Sequence, residues 1–124
     1  MARTFWVESG ELWTADGAHV TWHGQPDGKP VHSVVSLAGT EEAVVLLEFE
    51  AGPRSAAGVI RGWPNLVRVR ADGSVVWRAN ALDDQDSWVG VHCSAGVLTA
   101  TTWSGYLVTL NSDTGANTSK VFTK

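Results

Sequence analysis

One hairpin-like stretch recurs along the chain and limits what it can become. In residues 65–77, NLVRVRADGSVVW, an alternating apolar run meets Asp72-Gly73, and a second run ends in Trp77. Asp-Gly between two such runs is a strong short-range hairpin signal, because Gly adopts positive φ at no steric cost. Echoes lie on both sides, ELWTADGAHVTW at 11–22 and YLVTLNSDTGANTSKVF at 106–122. Asp16-Gly17 and Trp22 then correspond to Asp113, Gly115 and Phe122. The turn glycines are 56 and then 42 residues apart, the first interval being lengthened by an insertion before Asn65. A unit repeated at about 40–50 residues, unable to bury its faces alone, is the signature of a four-stranded propeller blade.

The rest of the chain keeps the same rhythm. Short strands are expected at 4–8, 11–15, 19–23, 31–37, 41–50, 65–70, 74–79, 87–93, 97–103 and 106–111, with a last one reaching Thr123. Gly- and Pro-bearing turns separate them, and no segment shows a helical period. The run EEAVVLLEFE at 41–50 is apolar on both faces at its centre, which predicts a strand covered on two sides. The fold class is therefore all-β: propeller-like stacked four-stranded antiparallel sheets, about two and three-quarter blades, not a closed ring in one chain. Residues 1–124 form a single domain, with a partial blade at 4–23, a blade at 31–79 and a blade at 87–123. In the partial blade the innermost strand is missing. The terminal Trp22, Trp77 and Phe122 are expected to fill the wedge that opens between blades with radius.

The run Leu66 to Trp77, with Ala-Asp-Gly-Ser-Val-Val-Trp at its end, resembles the quinoprotein-type (PQQ-like) propeller repeat. Trp103-Ser-Gly-Tyr-Leu-Val-Thr-Leu-Asn-Ser-Asp-Thr-Gly at 103–115 resembles it too. The likeness covers most of the second half, the N-terminal third less well, and residues 51–64 not at all. It implies the blade fold and not a chemistry. Quinoprotein dehydrogenases close eight blades around their cofactor. This chain offers fewer than three blades, no vicinal cysteine pair and no cluster of cofactor-gripping residues, so no cofactor is expected. Three blades cannot close a ring and leave two blade faces uncovered. The arc either closes on itself as a sandwich-like stack or is completed by further copies, and self-association is the expectation.

Charge and composition narrow the partners. A net charge of −4 with no run of Lys or Arg speaks against nucleic acid and against an anionic membrane. Cys93 is the only cysteine, which permits a reducing compartment, and the N-terminal residues show no apolar leader. A cytoplasmic location is the expectation.

Few residues point to chemistry. His19 and His23 share one side of a strand, while His32 and His92 fall on inner strands, and no tight ligand spacing joins them. His92 and Cys93 are strand neighbours and point to opposite faces. Asp83, Asp84 and Asp86 lack the spacing and glycine of a cation loop and read as a solvated acidic turn. No metal site and no catalytic set follows from spacing. The insertion at 51–64 interrupts the repeat and is long for a hairpin connection. It carries Arg54, Arg61 and Trp63, and Trp88 follows the acidic turn. Trp and Arg are enriched at interaction hot spots, which makes these four the candidate binding residues.

The expected function is a non-enzymatic module recognising a protein partner. One form is an immunity-type protein whose acidic surface blocks the basic site of a toxin. A carbohydrate-binding module using exposed Trp is the first alternative. A small enzyme is the second, with His32 or His92 in a site formed only in an oligomer.

Overall fold

The computed structural model describes residues 3–54, 56–58, 62–82 and 86–123. Eleven strands are found among them, in three antiparallel sheets. The first sheet holds β1 (Arg3–Glu8), β2 (Glu11–Asp16) and β3 (His19–Gly24). The second holds β4 (Val31–Ser36), β5 (Ala43–Leu47), β6 (Leu66–Val69) and β7 (Val75–Ala79). The third holds β8 (Trp88–Ser94), β9 (Val97–Thr102), β10 (Tyr106–Leu110) and β11 (Asn117–Phe122). Each sheet is a meander in chain order, and none closes on itself. The fold is all-β and propeller-like, as the repeat predicts.

Two slabs of core lie between the sheets. Leu12, Val31, Val45, Leu47, Val67 and Val69 fill the first, with Trp22 and Trp63 packed against it. Val44, Leu46, Leu66 and Trp77 face Leu98, Ala100, Val108 and Leu110 in the second, with Trp88 among them. β5 serves both slabs. All five of its residues are buried, and alternate side chains go to opposite slabs. That is the physical meaning of its continuous apolar run.

Two tryptophans clasp neighbouring sheets. Trp22, on the outer strand β3, lies over Gly73 in the β6–β7 turn, where any Cβ would run into its ring. Trp77, on the outer strand β7, lies in the same way over Gly115, whose φ is +77°. Its Nε1–H donates to the Ser112 carbonyl at 2.8 Å, and Arg68 Nη1 donates to the same oxygen at 2.7 Å. Phe122 does not continue this series. Trp22 pairs with Thr14 and Trp77 with Arg68, but the corresponding Thr109 of β10 pairs with Ser119. Ser119 stands four residues past its turn glycine, as Trp77 does. Phe122 instead sits opposite Tyr106, ring centroids 5.2 Å apart, and is exposed.

Buried polar groups fix the joints. Asn65 is fully buried; its Nδ2 donates to the carbonyls of Leu47 and Trp88, and its Oδ1 accepts from the Trp88 N–H. Asp86 is buried as well, accepting from the Ser87 N–H and from both N–H and Oγ–H of Ser104. It is thus a structural carboxylate and not part of a solvated acidic turn; Asp83 and Asp84 lie outside the described residues. On the rim, Arg78 forks onto Asp27 in the Pro26–Gly28 turn, and this hydrogen bonding raises the guanidinium pKa further. In the β6–β7 turn, hydroxyl and backbone donors of Ser74 hold the Asp72 carboxyl below the ordinary aspartate value.

Candidate functional site

The strand register turns the repeat into a test of which faces are covered. Leu12, Leu66 and Leu107 occupy one repeat position, on the face each sheet turns to the next. Leu12 and Leu66 are 0% exposed, because a sheet lies over each, whereas Leu107 is 38% exposed. Trp13, Val67 and Val108 occupy the position facing the preceding sheet. Val67 and Val108 are fully buried, while Trp13 is half-buried with no sheet before it. At these two positions the ends of the stack leave open residues whose counterparts are buried inside it.

The end face of the first sheet is aromatic. Trp6 pairs with Trp13 across β1–β2, and Trp13 pairs with His23 across β2–β3. The rings stack in a row, at 6.1 Å and 22° for the indoles and at 4.1 Å and 12° for Trp13 and His23. His23 Nδ1–H donates to the Glu11 carboxylate at 3.2 Å. The same positions in the other sheets are Val45, Val67 and Arg78, and Ala100, Val108 and Lys120. Trp13 has a ring on either side, so within the row it is the central indole that turns mainly its edge to solvent. The Trp13 Nε1–H is buried within this arrangement and has no hydrogen-bond partner.

The end face of the third sheet is built largely from small residues, with Leu107, Val121 and His92 among them. Gly90, Thr101, Leu107 and Val121 form one row across it, and His92, Thr99, Thr109 and Ser119 form the next. At Gly90 a Cβ would meet Thr101 Oγ1 at 2.5 Å, so the strand there is pressed flat against its neighbour's side chain. The result is a groove of about 190 Å³, lined by Gly90, His92, Thr99, Thr101 and Leu107 among others.

These faces belong to a recognisable kind of chain. The model of a family described as a domain of unknown function (DUF7957) matches residues 10–122. The chain belongs to that family. Among solved structures, BamB from Moraxella catarrhalis superposes with a TM-score of 0.64 at 15% identity. The match takes in 96% of this chain but only 32% of that one, so the likeness concerns the fold and about a third of the larger protein. No curated protein matches the sequence.

In this DUF7957 chain the residues singled out by sequence are dispersed. Trp88 is fully buried in the second slab, its Nε1–H donating to the Ala79 carbonyl at 3.0 Å. It is a core residue, unable to meet a partner. Trp63 is half-buried; it covers Gly52, donates from Nε1 to Phe49 O, and has Lys29 Nζ 5.8 Å from its ring centre. It therefore pins the insertion to the second sheet. Arg54 is exposed and bonds the carbonyl of Gly58 within its own loop. Arg61 lies outside the described residues.

The histidines are not gathered either. His32 lines a small pocket of about 150 Å³ with Trp88 and Val89, His92 lines the groove on the third sheet, and His23 stands in the aromatic row. Among the described residues no three His, Cys, Asp or Glu side chains come together as a cation site, and no helix is long and apolar enough to cross a membrane. Trp6 and Trp13 are not among the candidate binding residues read from the sequence. Their signal was the register, which makes Trp13 the counterpart of a valine that is buried in the next sheet.

Proposed function

We propose that this protein is a non-enzymatic interaction module that recognises protein through the uncovered faces of its two end sheets. The observation that carries this reading is the contrast at one repeat position, where Leu12 and Leu66 are 0% exposed and Leu107 is 38% exposed. Leu107, whose counterparts the internal joints bury, loses apolar contact while its face stands open, and another protein surface restores that contact. Protein is favoured over carbohydrate by the stacking of Trp6, Trp13 and His23. Sugar recognition by aromatic residues needs an open ring face, and Trp13, at the centre of this row, has a ring stacked on either side. A cytoplasmic setting accords with Cys93 being a free thiol.

The test immobilises the full chain and its Trp13→Glu and Leu107→Glu variants beside one another. Bound material is identified by mass spectrometry and rebuilt from purified components. We expect a protein, which in rebuilt form binds the wild type at least tenfold more tightly than one of the variants. Equal binding by all three chains, or selective retention of a glycan, would overturn the reading.

A further inference from the structure

We propose that the partner of these faces is a second copy of the chain, docked head to tail so that two arcs of three sheets close a six-sheet ring. The proposal rests on the interaction reading above and names its partner. Three observations on the two faces lead to it.

The first is size. Inside the stack the centres of both joints are filled mainly by Val and Leu from the two facing sheets, with tryptophans among or against them. The two ends depart from that norm in opposite directions. The first sheet carries Trp6, Trp13 and His23 where the other sheets carry Val45, Val67 and Arg78 or Ala100, Val108 and Lys120. The third carries Gly90, Thr99 and Thr101. A bulky face against a bulky face, or a small face against a small one, leaves the sheets too far apart or too poorly filled. Bulky against small restores the roughly 10 Å spacing of packed sheets.

The second is shape. The aromatic row presents the edge of its central indole as a ridge, and the opposite end presents a groove of about 190 Å³. A cavity of about 150 Å³ is enough for benzene, so the groove can take an indole edge.

The third is charge and topology. Glu8 and Glu11 lie on the aromatic side, where two copies placed face to face would bring carboxylates together. The groove side offers His92 instead. A head-to-tail contact is heterologous and must either close or propagate, and six sheets fall within the four to eight of closed propellers.

The closing joint also lacks one part found at both internal joints. Ser119 stands where Trp22 and Trp77 clasp the next turn, and the Gly17 turn that would receive it has nothing within 4 Å of a Cβ position. The ring is therefore held more loosely at its seam than within a chain, and Ser119→Trp should supply the missing clasp.

Sedimentation equilibrium of the full chain over a wide concentration range tests this. The wild type should reach twice 13.2 kDa and no more. Trp13→Glu and Leu107→Glu should each stay at monomer mass with an unchanged circular dichroism spectrum. Mixed in equal amounts they should form a dimer again, because one intact head then meets one intact tail. Ser119→Trp should lower the dissociation constant at least tenfold. A wild type and a Ser119→Trp variant that both remain monomeric would overturn the proposal. So would growth beyond the dimer, or a mixture of the two Glu variants that fails to associate. If the chain is monomeric yet retains another protein through the same faces, the inference falls while the interaction reading stands.

Discussion

Asn65 does more for the fold than its surroundings in the sequence announce. It follows Pro64 and opens an alternating run, which reads as a turn residue starting a strand. In the structure it lies fully buried and ties β5 of the second sheet to β8 of the third, using three of its four hydrogen-bonding valences. The backbone groups it satisfies have no water to fall back on. Asn65→Ala is expected to cost about 2–3 kcal/mol, since it leaves buried N–H and C=O groups unpaired. Chemical denaturation measures this directly, and a loss within about 0.5 kcal/mol, typical of a surface change, would deny the residue its role. Asp86 was hidden for the same reason. An acidic residue beside two others reads as solvated, and only the fold shows that one of them turns inward onto Ser104.

At the scale of elements the repeat was largely legible. Asp-Gly turns, strand alternation and the two-sided character of β5 are properties of neighbours in the chain, and the structure has them where they were expected. What depended on register was not legible. All three sheets share a one-residue slip beside Thr14, Arg68 and Thr109, but Phe122 stands seven residues past Gly115 where Trp77 stands four past Gly73, so the last aromatic of the repeat lies beyond the clasp position and Ser119 occupies it. Trp88 was misjudged because nothing local distinguishes an aromatic at the edge of an irregular stretch from one at the start of a buried inner strand. The clasp itself makes a paired prediction. Gly115 and Gly17 both have positive φ, +77° and +59°, but only Gly115 lies under a tryptophan, Trp77, whose Cε3 would be 2.6 Å from a new Cβ. Gly17→Ala should cost about 1–2 kcal/mol, from the left-handed backbone alone. Gly115→Ala adds overpacking and should cost about 2–4 kcal/mol in all. Equal losses in thermal or urea unfolding would show that Trp77 yields freely and clasps nothing.

For the whole molecule, stability follows from stacking order. The second sheet has a neighbour on each side, whereas the first and third have one apiece, so the array is a short one-dimensional stack in which the middle is held twice. Protection against amide exchange should grade accordingly. β5, buried along its whole length and paired on both edges, should open only with the entire domain. β11 has every residue exposed and pairs only with β10, so its amides should exchange first. β2 and β10 should fall between, because each is central in a sheet with one open face. Uniform protection from β2 to β11 at low concentration would mean a single cooperative unit instead of a graded stack. Concentration provides the link to association. A copy docked on the open faces adds the missing neighbour to the first and third sheets, so protection in β2 and β10 should climb toward that of β5 as dimer forms. In Ser119→Trp the same rise should come at lower protein concentration, since the added clasp acts at the seam and leaves the interior of the chain as it was.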